Sequence, residues 1–435
     1  MNYLKKFKMG KKEINIGVIG LGNIGSKLIP ELQKQAIDFE KETGLALKVT
    51  NTSDMNEERR NFTVPFTKNA YDLIHHNNTD IIVELIGGEK PAHSIINDAL
   101  EKGKNVVTAN KLVISKYGKE LEELALQNKK YLRFNAAVGG GMGLIEKIKS
   151  HEGNSTHTLI GILNGTTNYI FTRMHEGLEY EIALKEAQEK GFAEANPEFD
   201  ISGKDAAQKL AILSSINFKT FIPSDKIYCE GIERIKQEDI NFAKNAGYVI
   251  KLIAFAKKTK ENEIEARVQP MMLKTKHPLA HVNYEINALY MLGNANIKVE
   301  GEGAGKPTIA SIISDIKNIA RDISSEKYND RAFFGNNHFD IKPIEEIESK
   351  FYLKFYGLNK PGTLHNLTGT LKEHNINVES FVQDSEKRVS IAGENFAPMF
   401  FTTSKINYRA IKQAVETIDK EVLREGCVLA VANTF

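Results

Sequence analysis

Six residues constrain this chain more than its overall composition does: Gly20-Leu21-Gly22-Asn23-Ile24-Gly25. They follow Ile14–Ile19, whose β-branched, alternating pattern predicts a buried strand, and they precede a helical pattern over Ser26–Glu40. Strand, Gly-x-Gly-x-x-Gly, helix is the context that makes the glycines informative. The first permits a tight turn, the second lets a pyrophosphate approach the backbone, and the third lets the helix pack close to the strand. The helix N-terminus then offers unpaired N–H groups and the positive end of its dipole to phosphate. A plain tight turn is the alternative. The flanks favour a dinucleotide site lined by Gly20, Gly22, Asn23, Ile24 and Gly25.

The pattern continues downstream. Strands are predicted at Leu45–Asn51, Ile81–Ile86 and Asn105–Thr108, with helical stretches at Asn69–Asn77 and Pro91–Lys102. Such alternation implies a parallel, doubly wound sheet, with ligands at the C-terminal ends of its strands. At the end of the second strand a ribose-reading acid or a phosphate-reading Arg is expected. The acid there is Asp54, and Arg59 and Arg60 follow. They read either as holders of a 2′-phosphate or as a solvated turn, so NAD and NADP both stay open. Two further strand ends stand out, Glu84–Gly88 with Gly87, and Val106–Lys111. Lys111 reads equally as a solvated lysine and as one facing a cofactor crevice.

Composition narrows the class. At about 150 residues per domain, 435 residues predict about three domains. Lys plus Arg number 58 against 56 for Asp plus Glu, a balance that argues against a nucleic-acid-binding protein. Two cysteines, Cys229 and Cys427, exclude a disulfide framework and a Cys-rich zinc site and fit a reducing cytoplasm. Lys5, Lys6, Lys8, Lys11 and Lys12 precede an apolar stretch, but that stretch runs straight into the glycine motif and reads as a strand rather than an export signal. No stretch approaches the ~20 apolar residues a membrane span needs.

From Phe134 the pattern changes. Asn135-Ala136-Ala137-Val138-Gly139-Gly140-Gly141 is too glycine-rich for a plain strand and marks close backbone approach. Leu159–Leu163 reads as a strand that ends in the polar loop Asn164–Asn168, with a helix over Tyr169–His175. In Gly191–Lys209, Ser202 with Asp205 three residues on reads as a capping box opening a helix. Asp205 and Lys209 lie i, i+4 on one helix face. They read either as a cap with a surface ion pair or as a lysine proton shuttle held by a carboxylate. A helix is predicted over Asp239–Lys257, a strand over Ile264–Leu273, and Gly301–Thr308 is a second glycine loop before a helix at Ile309–Arg321.

Taken together, Gly20–Leu28, Glu84–Ala92, Val106–Lys111, Ala136–Gly141, Gly161–Ile170, Gly191–Lys209 and Gly301–Thr308 resemble homoserine dehydrogenase, in that family's order. The resemblance implies a Rossmann-type sheet followed by an α+β catalytic and dimerisation domain. It implies NAD- or NADP-dependent interconversion of L-homoserine and L-aspartate 4-semialdehyde in threonine and methionine biosynthesis. It further implies Lys209 as proton donor and acceptor, Lys111 at the cofactor–substrate junction, Glu194 and Thr166 as substrate contacts, and Asp205 orienting substrate. Gly191 and Gly303 match backbone positions beside the cofactor. A monovalent cation, Na or K, would take the carbonyls of Val138, Gly140 and Met142, where Asn135 replaces the family's usual Glu. Gly143 and Asn196 depart from the family's Pro and Asp. A homodimer or homotetramer is expected.

Beyond residue 348 the predicted order is strand (Phe351–Leu358), helix (Leu364–Asn375), strand (Val378–Gln383), two strands (Arg388–Ala392, Met399–Thr403), helix (Ile406–Asp419) and strand (Val428–Ala432). This is a ferredoxin-like order, and with Asn359-Lys360-Pro361-Gly362-Thr363-Leu364 it resembles an ACT domain. It reads either as a site for an effector, with L-threonine expected, or as a dimerisation sheet with no ligand. The expected division is 1–134 (cofactor domain, completed by part of 301–345), 135–320 (catalytic), 321–348 (linker) and 349–435 (ACT-like). Two rival functions follow: a catalytically silent dinucleotide and amino-acid sensor, motivated by Asn135, Gly143, Asn196 and Asn359, and an aldehyde-oxidising enzyme, which needs a nucleophilic cysteine.

Overall fold

The computed structural model describes residues 12–432 except 61–62, 304, 326–327, 329–330, 385–386, 388, 392 and 419–422. Lys5, Lys6, Lys8, Lys11 and Ala304 therefore lie outside the described residues. The chain begins β1 (Lys12–Ile19), α1 (Gly25–Thr43), β2 (Leu45–Ser53), β3 (Phe66–Thr67), α2 (Ala70–Ile74), β4 (Ile81–Glu84), α3 (Ala92–Glu101), β5 (Asn105–Thr108), α4 (Lys111–Gln127) and β6 (Leu132–Arg133). Then come α5 (Leu144–Ser150), β7 (Thr158–Ile162), α6 (Gly165–His175), α7 (Tyr180–Glu189), α8 (Glu198–Ile201), α9 (Lys204–Phe218), β8 (Tyr228–Cys229) and α10 (Gln237–Asn245). They lead into β9 (Tyr248–Lys260), β10 (Glu263–Lys274), β11 (Ile286–Leu292), β12 (Ile297–Glu302) and α11 (Lys306–Ser324). The last elements are β13 (Asp340–Ile341), β14 (Glu348–Leu358), α12 (Thr363–Glu373), β15 (Val378–Gln383), β16 (Val389–Ile391), β17 (Glu394–Thr403), β18 (Ile406–Asn407), α13 (Tyr408–Thr417) and β19 (Leu423–Val431).

Two compact units result. The first gathers residues 1–153, 211–224 and 301–337. Its sheet is parallel, in the order β3-β2-β1-β4-β5-β6. The order reverses between β1 and β4, and that reversal opens the ligand crevice of a doubly wound sheet. Ile309, Ile312, Ile313, Ile316 and Ile319 of α11 are spaced three and four apart and bury one stripe against Leu28, Ile29 and Leu32 of α1 and the β1 residues Ile14, Ile16 and Val18. Truncating one such fully buried Ile to Ala costs about 2–5 kcal/mol. Within 321–348, Phe333 and Phe334 are buried, with both backbone N–H groups donated to the Glu122 carboxylate.

The second unit gathers residues 154–210, 225–300 and 338–435. Its strands form one sheet in the order β12-β11-β7-β9-β10-β19-β14-β17-β15. The last four strands run antiparallel and, with α12 and α13, give the βαββαβ arrangement. Phe351, Leu353 and Phe355 of β14 pack with Leu367 and Leu371 of α12 and Ile411 and Ala414 of α13. One predicted helix is corrected here: α10 stops at Asn245 and residues 248–257 belong to β9. Gly247 takes φ +78, a left-handed end to the helix, and the following apolar run is buried on both faces as an internal strand.

Candidate active site

In the first unit the glycine motif forms a cradle. A Cβ on Gly20 would lie 2.7 Å from the Leu85 carbonyl, and one on Gly25 would lie 2.0 Å from the Gly20 oxygen. A Cβ on Gly22 would meet only Arg59, at 3.9 Å, so that side is open to an approaching group. Helix α1 begins without a side-chain cap and without an acid in its first turn, which leaves its positive dipole end for phosphate.

Asp54 stands at the end of β2. Its carboxylate accepts from the Leu21 N–H at 2.7 Å and the Asn56 N–H at 2.8 Å, and it pairs with Arg59 at 3.2 Å. Burial pushes its pKa up, but the Asn56 and Leu21 N–H groups and Arg59 outweigh that and hold it low. Asp54 is thus committed to the glycine turn, while half of the Arg59 side chain stays exposed beside Gly22 (50 %).

Across the sheet reversal, β4 ends in the fully buried Glu84, and Gly87 and Gly88 follow with φ +78 and +73. Lys111 is the half-buried first residue of α4, a helix capped by Asn110, whose Oδ1 accepts from the Val113 N–H at 3.1 Å. The sequence marks Glu84 as part of a strand end but gives it no role of its own. A lone acid ending an apolar strand gives no local sign that its partners come from the next strand.

The second unit builds a buried lysine–carboxylate cluster. Lys209 Nζ donates to Asp205 Oδ2 at 2.7 Å and to the Leu163 carbonyl at 2.8 Å. Both residues are buried, so the surface ion pair considered from spacing does not form. The amide of Asn164 bridges two acids, donating to Asp205 Oδ2 at 2.9 Å and Asp200 Oδ1 at 2.7 Å. Its Oδ1 meanwhile accepts from the Thr167 N–H at 2.8 Å and caps α6, which is why that helix starts at Gly165 rather than at Tyr169. Thr166 Oγ1 donates to the Phe192 carbonyl at 2.6 Å and to Asp200 Oδ2 at 3.2 Å. Burial first, and the neighbouring Asp205 charge second, raise the pKa of Asp200.

Sequence reasoning missed Asp200 and the bridging role of Asn164. Their signal was weak: an acid five residues before Asp205 and a polar residue two positions past the end of β7. The expected capping box is absent. Ser202 Oγ is buried without a hydrogen-bond partner, Gly203 turns the chain at φ +81, and Asp205 faces inward to Asn164 and Lys209. Glu194 and Gly191 are exposed on the loop after α7, outside this hydrogen-bonded cluster, and Gly191 takes φ +77 with open space around it.

The second glycine run lies in the first unit. Gly140 has φ +50, and a Cβ there would sit 2.9 Å from the Gly303 carbonyl. Ser311 Oγ donates to the Gly140 carbonyl at 2.7 Å. Asn135 donates its N–H and its Nδ2 to Asp315, at 3.1 and 2.6 Å, leaving its own Oδ1 buried and unpaired. Burial pushes Asp315 up to about 7. Among the described residues no group of three or more His, Cys, Asp or Glu could hold a metal ion, so a cation here would depend on carbonyl oxygens. Both cysteines are poor nucleophiles: burial raises Cys229 to about 11 and puts Cys427 well above its ordinary value. Among the described residues no helix is long and apolar enough to cross a membrane.

Comparison with known proteins agrees with this geometry. The model for the NAD-binding domain of homoserine dehydrogenase matches residues 20–135, the homoserine dehydrogenase model matches 144–316, and the ACT-domain model matches 351–420. A nucleotide cradle in the first unit, a buried lysine–carboxylate pair in the second and these family matches together define an NAD(P)-dependent oxidoreductase. Homoserine dehydrogenase of Pseudomonas aeruginosa is 34% identical over 420 residues, covering 94% of this chain and 96% of that protein. The Synechocystis enzyme is 36% identical over 385 residues, covering 85% and 89%. The crystal structure of a homoserine dehydrogenase from Thiobacillus denitrificans superposes with a TM-score of 0.87 at 31% identity, covering 97% of this chain and 98% of that one. The chain belongs to the homoserine dehydrogenase family. The silent-sensor alternative is not favoured.

Proposed function

We propose that Lys209 moves the proton in this chain's NAD(P)-dependent interconversion of L-homoserine and L-aspartate 4-semialdehyde. The observation that carries the proposal is the buried contact of Lys209 Nζ with Asp205 and the Leu163 carbonyl, 2.7 and 2.8 Å. These two acceptors leave the third N–H of the ammonium for the substrate oxygen. In the reducing direction the Lys209 ammonium gives a proton to the aldehyde oxygen and is left as the neutral amine; in the oxidising direction that neutral amine takes the hydroxyl proton and becomes the ammonium. Glu194 pairs with the substrate ammonium, while Asp205 and Thr166 orient substrate and the 191–209 loop. When bound, the nicotinamide dinucleotide accepts or gives the hydride. Gly20, Gly22, Asn23, Ile24 and Gly25 would hold its pyrophosphate, and Gly87, Lys111, Gly191 and Gly303 would be its further contacts, as the family resemblance implies. The fit of the cradle supports this, since Gly22 is open where Gly20 and Gly25 are closed.

NADP is the preferred form on this reading. Asp54 spends its oxygens on Leu21, Asn56 and Arg59, and the Arg59 guanidinium is left to meet a 2′-phosphate. A monovalent cation, Na or K, would be held by the carbonyls of Val138, Gly140 and Met142, with the unpaired Asn135 Oδ1 as a further oxygen donor. The ACT module takes a small amino acid such as L-threonine, and the chain works as a homodimer or homotetramer in a reducing cytoplasm. The cofactor domain runs to 134 and is completed by part of 301–345, the catalytic and dimerisation region spans 135–320, and 321–348 links it to the ACT-like module at 349–435. The deciding experiment is Lys209→Ala. Turnover of homoserine should fall at least about a hundredfold, the scale of one general acid–base group, with the dinucleotide dissociation constant within about twofold. Turnover preserved in the variant would remove Lys209 from the chemistry.

A further inference from the structure

Glu84 ends β4 with no accessible surface, an expensive place for an acid. Its Oε1 accepts from the Ile86 N–H and its Oε2 from the Thr108 hydroxyl, both at 2.7 Å. The Gly87 N–H and the Asn110 side chain also bond to it. Thr108 Oγ1 in turn accepts from the Asn110 N–H at 2.9 Å, and Asn110 Nδ2 donates to the Gly88 carbonyl at 2.8 Å. The bonds close into a ring: Glu84, the 86–88 turn, Asn110, Thr108 and back to Glu84. Burial raises its pKa, against the pull of these hydrogen bonds, yet every group pointing at the carboxylate is a donor, an arrangement that suits an acceptor and leaves no place for the amide hydrogens of a glutamine. Gly87 and Gly88 need this support. Both hold a positive φ that glycine adopts readily, with open space where a Cβ would stand, and the bonds from Glu84 and Asn110 tie this permissive turn down.

The position of the ring gives it a use. It joins the C-terminal ends of β4 and β5, on the opposite side of the sheet reversal from the glycine cradle. In a doubly wound sheet each half takes one mononucleotide, so the ring underlies the half that does not hold the adenosine. We infer that Glu84 is a positioning residue, locking the Gly87–Gly88 turn to the start of α4 and thereby fixing the rim on which the nicotinamide half and Lys111 stand. The inference rests on Gly87 and Lys111 being the cofactor contacts proposed above.

The test compares two ligands on the full chain: adenosine 2′,5′-bisphosphate, which probes the adenosine half alone, and NADPH, which probes both halves. In Glu84→Gln the dissociation constant of the first should stay within about twofold. That of NADPH should rise about tenfold or more, the scale of one charge-assisted hydrogen bond, with kcat falling alongside. Equal weakening of both ligands, or no change in either, overturns the inference. Thr108→Val breaks the same ring with an isosteric, uncharged change and decides the matter if Glu84→Gln does not fold. Lys111→Ala, measured in parallel, keeps the two readings apart. If it alone alters NADPH binding and turnover, the half-site stands and Glu84 is no positioning residue. If neither Lys111→Ala nor the ring variants have an effect, the half-site assignment is wrong.

Discussion

His175 closes α6, the helix that Asn164 opens at the lysine–carboxylate cluster, and it makes a sharp prediction about acid stability. The Ile250 N–H donates to its Nε2 at 3.0 Å, a contact that needs the nitrogen's lone pair and therefore an uncharged ring. Burial first, then the positive charge of Lys251, lower its pKa from 6.5 to about 4, with Lys244 adding to the effect. Lys251 is itself pushed down to about 7 by burial, so it carries its positive charge more fully as the pH drops. The folded chain therefore binds the His175 proton later than the unfolded chain does. Stability is fully present above pH 6.5, is lost as the pH falls towards 4, and stays level below that. At 1.36 kcal/mol per pH unit the full loss is ~3 kcal/mol, of which about 2 kcal/mol has gone by pH 5. His175→Gln keeps an acceptor for Ile250 but does not titrate. Thermal unfolding of both proteins at pH 7 and pH 5 should show the unsubstituted chain losing ~4–8 °C more than the variant, at about 2–4 °C per kcal/mol for a unit of this size. Parallel pH slopes in the two proteins would refute the assignment of the loss to His175.

The other predictions concern the ligands and the thiols. Arg59→Ala should lower kcat/KM for NADP by about ten- to a hundredfold, the range of a charged hydrogen bond to phosphate, and leave NAD within about twofold; equal losses with both cofactors would show that the variant harms the glycine turn instead. With Cys229 raised to about 11 and Cys427 buried, the folded chain should take up iodoacetamide at pH 8 at least about tenfold more slowly than the urea-unfolded chain, and Cys229→Ser should keep full turnover. Replacing KCl and NaCl with tetramethylammonium chloride should lower turnover measurably, and equal rates in all three salts would leave the Asn135 Oδ1 site without a cation.

Local rules carried the reading a long way. The strand–glycine–helix signature, the alternation of strands and helices, and the i, i+4 spacing of Asp205 and Lys209 are all short-range patterns, and the same elements stand in the structure. The failures share a cause. Residues 248–257 were read as helix because an apolar run can serve either period, and only burial on both sides of the second sheet makes it a strand. Ser202 looked like a cap because the spacing was right, yet Asp205 is drawn inward by Asn164, 41 positions earlier.

What the order of residues alone determined is the local geometry: where glycine permits a turn, which stretch has a buried face, and which acid shares a helix face with which lysine. Tertiary structure decided which polar groups meet. It brought Asn164 between Asp200 and Asp205, committed Asp54 to Leu21, and closed the ring around Glu84 with Thr108, 24 positions away. Periodicity reports how a segment repeats against itself. A buried donor and acceptor need only be satisfied, by whatever partner the folded chain delivers.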